Sequence, residues 1–350
     1  MHYFLLAIPY YIFNNDLVLR IIYLIFSLLF PLFLFLNLNL ISKLNKTNIL
    51  LITTSILFLP FFRSSAIWAN SHLTAIIFFL IGNYFYLKGL EEKKIYKYLN
   101  LFFLSLATYS MQSYAIFYIF YLFFYYKDFN FNEFSKLFLF CIFLSIPGFI
   151  FVLSGEGARS IYGLAFSKNI SFSLITNFSI IFFYYCFFIL NRENIYLLKN
   201  SFYEIKKKEL LFLILFFLIN IYFYDKNDNY IMLGSGFFYK LSIFLTQNTL
   251  LFFLSSFFGF FISLLIIKKD SKFLFIILII NVMSSHYLIY QKYFEPIFII
   301  MILILFKNFL AENIIGSRKN TLFFISLIFV YYIIAMINSY LNISKSLLGS

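Results

Sequence analysis

The stretch LVLRIIYLIFSLLFPLFLFLNLNL, residues 17–40, carries one charged side chain, Arg20, and is otherwise almost wholly apolar, with Asn37 and Asn39 near its end. A helix needs about 20 such residues to cross the apolar core of a bilayer. The rest of the chain repeats the pattern. Of 350 residues, 63% are hydrophobic and 12% charged, with 56 Phe and 29 Tyr, and the mean hydropathy is +0.91. No soluble fold of this length has enough interior to hide that much apolar surface. The composition excludes a secreted disulfide scaffold, a disordered chain, a cytosolic enzyme and a nucleic-acid binder. Lipid is the main solvent, and membrane lipids are the first partners the composition implies.

Comparable runs occupy residues 17–40, 48–62, 71–87, 98–108, 115–126, 137–153, 172–190, 210–224, 241–267, 273–289, 294–306 and 322–340. They predict an all-α fold: a polytopic transmembrane bundle of about twelve spans, one domain over residues 1–350, with the bundle itself at 17–340. Residues 98–126 are split at Tyr109-Ser110-Met111-Gln112-Ser113. Treating them as one span would scramble the alternation of the loops that follow. Cys141 and Cys186 lie in apolar runs and read as small hydrophobes. No basic, cleavable leader opens the chain, so a signal peptide is not expected.

The net charge of +13 reflects topology. The loops fall into two alternating sets holding nineteen and eight of the 27 basic residues. The richer set, including Lys43, Lys94, Lys136, Lys206, Lys207, Lys208, Lys268 and Lys319, belongs in the cytoplasm by the positive-inside rule. Residues 1–16 then start on the outer side. Their apolar part is too short to span and suits an interfacial helix.

The outer segments hold few charges, set beside aromatics, amides and imidazoles. One is Arg63-Ser64-Ser65-Ala66-Ile67-Trp68-Ala69-Asn70-Ser71-His72, with the only Trp in the chain. Arg63 suits a bidentate phosphate clamp and Trp68 a stacking platform, while both also suit plain headgroup anchors. A second, Gly155-Glu156-Gly157-Ala158-Arg159, pairs opposite charges on a glycine-rich backbone that a ligand can approach closely, or closes a turn on itself. A third, Asp225-Lys226-Asn227-Asp228, either presents hard oxygens to a divalent cation or forms a solvated turn. No other metal site or cofactor is expected. A fourth brings His286, Gln291, Lys292, Tyr293 and Glu295 together ahead of Pro296, at headgroup depth.

These segments resemble the GT-C superfamily of membrane glycosyltransferases, nearest its protein O-mannosyltransferase-like and aminoarabinose-transferase-like branches. His2-Tyr3-Phe4-Leu5-Leu6-Ala7 followed by Asp16-Leu17-Val18-Leu19-Arg20 is similar to the family's outer His-Pro-Pro-Leu-Tyr-Tyr tract and the helix after it, without the paired prolines. Arg63–Asn70 resembles the segment ahead of a later helix. Lys292-Tyr293-Phe294-Glu295-Pro296 is similar to the late Arg-Tyr-x-x-Pro motif, with Lys in place of Arg and so without the planar fork. The resemblance covers the layout of most of the chain. It implies transfer of a sugar from a polyprenyl-phosphate donor to a lipid, glycan or protein acceptor at the outer face of a bacterial inner membrane. Arg63, Arg159 and Lys292 would hold phosphate, and Trp68, Asn70, His72 and Tyr293 sugar or acceptor. Glu156, His286 and Gln291 complete the candidate binding set. The family's catalytic carboxylate follows a first span, and this chain begins downstream of where both should be, which reads either as a truncated N-terminus or as a diverged, inactive member; Asp16 is the carboxylate that stands nearest its position. An O-antigen polymerase or ligase and a lipid flippase or secondary transporter are the rival readings.

The topology is testable in intact cells. In a cysteine-free background, Ser64→Cys is expected to react with a membrane-impermeant thiol reagent and Lys207→Cys only after permeabilisation; the reverse pattern would overturn the orientation.

Overall fold

The computed structural model describes residues 2–41, 45–90, 94–153, 170–222, 237–271, 273–275, 279, 303–304 and 309–347. Among them are α-helices and short 3-10 turns and no strand. The helices are α1 (His2–Phe13), α2 (Asp16–Ser27), α3 (Leu29–Ile41), α4 (Lys46–Ser55), α5 (Pro60–Ile67), α6 (Ser71–Gly89), α7 (Ile95–Ser110), α8 (Ile116–Asp128) and α9 (Phe131–Leu153). There follow α10 (Ile170–Ile189), α11 (Arg192–Tyr203), α12 (Lys207–Tyr222), α13 (Phe237–Thr246), α14 (Leu250–Lys269), α15 (Phe309–Gly316) and α16 (Arg318–Leu347).

Four of these are long and apolar enough to cross a membrane: the 26-residue stack of α2 on α3, α9, α14 and α16. A fifth crossing is reached if α4 and α5, bent by 62° where they meet, count as one span. Other runs read as crossings are shorter, as in α7, α8 and α12, or carry polar residues, as α6 does with Asn83 and Lys88. The runs at 273–289 and 294–306 lie almost wholly outside the described residues.

Apart from the one-residue joint at Leu28 between α2 and α3, two runs read as continuous are broken, each for a local reason. Within 48–62, Leu59 is extended (φ −60°, ψ 131°) and Pro60 opens α5. A residue before proline is pushed out of the helical region, and proline is well placed in a first turn. Within 241–267, Gln247 takes a positive φ of 52°. The Asn248 side chain then accepts the Leu250 N–H at 2.9 Å, while its carbonyl accepts the Ser242 hydroxyl at 2.7 Å. The split at 109–113 is present as read: α7 stops at Ser110, Met111 is extended, and a 3-10 turn over Gln112–Ala115 leads into α8.

Asparagine starts the helices. Asn15, Asn45, Asn70 and Asn191 each turn a side-chain oxygen onto backbone N–H groups of the helix that follows, satisfying donors that have no partner inside it. The centre of the N-terminal half is α6, buried continuously from Leu73 to Asn83 between α3 and α7. An amide network crosses this core. The Asn37 amide donates to the carbonyls of Phe33 (2.6 Å) and Leu80 (2.9 Å) and accepts from the Asn83 amide (2.8 Å). The Tyr121 hydroxyl donates to the Asn83 side chain at 2.7 Å. One turn away, Asn100 donates to the Gly82 carbonyl (3.0 Å) and accepts from the Tyr125 hydroxyl (3.0 Å). Four helices, α3, α6, α7 and α8, are thereby joined by neutral side chains whose polar atoms are paired.

In the C-terminal half α10 packs closely on α14, with Gly259 set against the Ser179 carbonyl. The halves meet along α4 and α16, where the Phe58 ring lies 4.8 Å from that of Phe329 and 5.7 Å from that of Tyr332. At one end of this seam the Asn48 amide donates to the Ile315 carbonyl (2.8 Å) and the Asn313 amide to the Asn194 side chain (2.7 Å). Asn320 there bridges Glu193 (2.9 Å) and the Asn313 carbonyl (3.0 Å). Lys94 with Glu133, and Lys268 with Glu209, pair helix ends that the loop charges assign to the same side. Lys268 holds the Glu209 carboxyl below the usual carboxylate range through its hydrogen bond.

At Gly259 a side chain would run into the Ser179 backbone, whereas Gly316 has open space around it. Gly259→Val is expected to cost about 1–3 kcal/mol by wedging α10 from α14, and Gly316→Ala to be neutral. Thermal unfolding in detergent measures both; an unchanged midpoint for Gly259→Val would contradict the close packing.

Candidate functional site

At the end of the bundle that the loop charges place outside, four elements converge: α1, the first turns of α2, α5, and the turn Trp68-Ala69-Asn70 leading into α6. The turn is tight. Trp68 closes α5 by donating its N–H to the Ser64 carbonyl (3.1 Å), and the Asn70 N–H reaches the Ser65 carbonyl (3.1 Å). Between them Ala69 is held at φ 48°, a left-handed conformation in which Cβ crowds the following carbonyl, at a cost of about 1–2 kcal/mol for a residue other than glycine. The Asn70 side chain then caps α6 through the His72 N–H at 2.9 Å.

Beneath the turn lies a chain of hydrogen bonds. The Tyr23 hydroxyl donates to the Asn70 carbonyl (2.7 Å) and contacts the Thr74 hydroxyl (2.8 Å); Thr74 in turn meets Nδ1 of His2 (2.9 Å). Tyr23 has one proton and gives it to Asn70. Thr74 therefore donates to Tyr23, and His2 donates to Thr74, which assigns the imidazole proton to Nδ1. His2 is 4% exposed, with the Tyr23 ring edge-on at 5.9 Å. Burial lowers its pKa below the ordinary 6.5, and a hydrogen bond with the Ala69 backbone opposes that shift.

Above the turn the side chains face outward. Trp68 is 69% exposed, and the Arg20 guanidinium lies 4.7 Å from its ring centre. On α5, Arg63 sits 5.2 Å over the Tyr332 ring and donates to the Met336 sulfur at 2.9 Å. A guanidinium backed by an aromatic face keeps N–H edges for oxygen ligands, the geometry in which arginine binds phosphate. Asp16 is exposed in the first turn of α2, where a carboxylate favours the helix N-terminus. Among the described residues it makes no ion pair and is the one carboxylate at this end of the bundle.

Of the sequence-derived candidates, the structure gathers Trp68, Asn70 and His72 in one turn. It sets Arg63 on α5 toward α16, and Asp16 on α2. Glu156, Arg159, Asp225, Asp228, His286, Gln291, Lys292 and Tyr293 lie outside the described residues. Among the described residues no group of His, Cys, Asp and Glu is arranged to hold a metal ion. Sequence reasoning passed over Arg20, Tyr23 and Thr74 as site residues. Arg20 was legible as the one charged residue inside the run 17–40, which marks a functional position or a partner nearby. Tyr23 and Thr74 became visible only once α2 and α6 were side by side.

No protein-family model matches this chain, and neither a curated protein nor a solved structure matches it.

The strained turn is open to test by thermal unfolding. Ala69→Gly is expected to be neutral or to stabilise by up to about 1 kcal/mol, while Ala69→Val destabilises by more than that. Equal midpoints for the two variants would contradict the left-handed conformation.

Proposed function

We propose that the chain is a polytopic membrane enzyme, crossing a bacterial inner membrane about twelve times, that transfers a sugar from a polyprenyl-phosphate carrier to a lipid, glycan or protein acceptor at the outer face. The observation that carries this reading is the pair of arginines backed by aromatic rings, Arg20 on Trp68 and Arg63 on Tyr332, at one end of an apolar bundle. A lipid-linked phosphosugar needs a cationic place for its phosphate at headgroup depth, an aromatic surface for its sugar or first isoprene units, and apolar walls for its tail. The described residues of this end offer each of these.

In this reading the acceptor hydroxyl attacks the anomeric carbon and gives its proton to a carboxylate, for which Asp16 stands ready on α2. The carrier phosphate leaves with the electrons of the broken glycosidic bond. Arg63 and Arg20 stabilise the charge that grows on it, with Arg159 and Lys292 as the further basic candidates. Asn70 and His72 orient hydroxyls of the sugar or acceptor, and Glu156, His286, Gln291 and Tyr293 belong to the same proposed set. The divalent-cation reading of Asp225 and Asp228 is not needed for this chemistry.

The test is turnover of a radiolabelled polyprenyl-phosphate hexose by the purified protein in proteoliposomes. Arg63→Ala and Arg20→Ala are each expected to lower kcat/KM at least about tenfold, near 1.4 kcal/mol of transition-state stabilisation. Arg63→Lys should recover part of the loss. No turnover, or turnover untouched in both alanine variants, would overturn the reading; lipid movement across the bilayer without sugar transfer would replace it with the flippase reading.

A further inference from the structure

The helix α1 is attached to the bundle in an unusual way. It is almost wholly apolar, and most of its side chains point away from the protein, Tyr11 at 91% exposure being the extreme. Leu5 and Leu6 rest against the core, and His2 is its one fully buried residue. Its own cohesion is weak: twelve residues is a marginal length for an isolated helix, and Pro9 in its interior removes the backbone bond that would reach back to Leu5. It leaves through a two-residue joint, in which Asn14 takes a left-handed φ of 44° and its N–H bonds the Tyr10 carbonyl at 2.7 Å. Asn15 begins α2 independently as its cap, so α2 does not depend on α1 being in place.

We propose that α1 is a detachable cover over the Trp68-Ala69-Asn70 turn, latched by the His2 imidazole seated between Thr74 and Tyr23, and that a positive charge on that imidazole releases it. Among the described residues the seat sets no countercharge on the ring; burial disfavours the imidazolium, and the hydrogen bond with the Ala69 backbone is the contact that favours it. Thr74 and Tyr23 are uncharged, the turn contributes only Trp68, Ala69 and Asn70, and Tyr3 is the titratable neighbour on α1 itself, its ring 5.3 Å away. The charged groups of α2 are Asp16 and Arg20, with Arg20 turned onto Trp68, and α6 contributes His72 in its first turn. No carboxylate among the described residues bonds the ring. Because the docked form disfavours the imidazolium, docking is complete above the ordinary histidine value of 6.5 and weakens as the pH falls below it. When α1 lifts, Tyr23 and Thr74 become accessible and the strained Ala69 loses a hydrogen-bond partner, so the turn that holds Trp68 can relax.

This inference does not rest on the sugar-transfer reading, and its readout is the docking of α1. A nitroxide is attached at Leu6→Cys in a Cys141→Ala, Cys186→Ala background of the full chain in lipid nanodiscs, and spectra are recorded between about pH 7.5 and about pH 5. The account expects an immobilised label at the upper end, with more than about half of the signal becoming mobile at the lower end. His2→Gln should abolish the transition, and His2→Lys should give the mobile spectrum throughout. Emission of Trp68, the single tryptophan, supplies a label-free second measurement in the otherwise unaltered chain and should shift over the same pH range. Superimposable wild-type spectra, or a transition that persists in His2→Gln, would overturn the proposal.

Discussion

An amide buried in an apolar bundle must find partners inside the protein, because hydrocarbon offers none. Much of this molecule follows from how Asn37, Asn83 and Asn100 meet that requirement. Each binds a backbone carbonyl or another amide on a neighbouring helix; the Asn37 oxygen is taken by the Asn83 amide of that same helix, and the Asn83 and Asn100 oxygens by tyrosines of a further helix, α8. Apolar contacts alone would let α3, α6, α7 and α8 slide, since lipid is as good a neighbour for leucine as protein is. The amides set register. The backbones can close to this range because Gly82 stands opposite Asn100, where a Cβ would come within 3.2 Å of its carbonyl.

With those four helices held, the two ends diverge in character. One end is tied by asparagine, lysine and glutamate contacts that close on themselves, as in the cluster of Asn194, Asn313 and Asn320. At the other end, Arg20, Arg63 and Trp68 spend their charges and rings on each other and on Tyr332, with their outer edges toward the surroundings. That asymmetry is what ties the proposed chemistry to the Trp68 turn. It also separates two layers there: a buried neutral chain from His2 to Asn70 that holds the turn, and an exposed cationic layer above it.

The helical class and most helix positions could be read from run lengths alone, because the requirement for about 20 apolar residues is strong. The break at Met111 was legible through the polar cluster around it and the alternation of loop charges. The breaks at Leu59 and Gln247 were not, since an apolar average over a window hides a single backbone torsion. Trp68, Asn70 and His72 were legible as a group because they are adjacent in the chain. Arg20 against Trp68, and His2 against Thr74, are separated by 48 and 72 positions, and nothing in local pattern couples them. Asn83 illustrates the same limit: in sequence it is a polar interruption in an apolar run, while in the fold it is the residue on which α3 and α8 converge.

The claim that amide pairing fixes the bundle is tested most directly by a double-mutant cycle on Asn37 and Asn83, read by thermal unfolding of the purified protein in detergent. Asn83→Leu leaves the Asn37 oxygen and the Tyr121 hydroxyl without their partners and should cost about 2–3 kcal/mol. Adding Asn37→Leu should cost less in that background than alone, giving a coupling of about 1 kcal/mol. Additive losses, or an Asn83→Leu variant as stable as the wild type, would contradict the account.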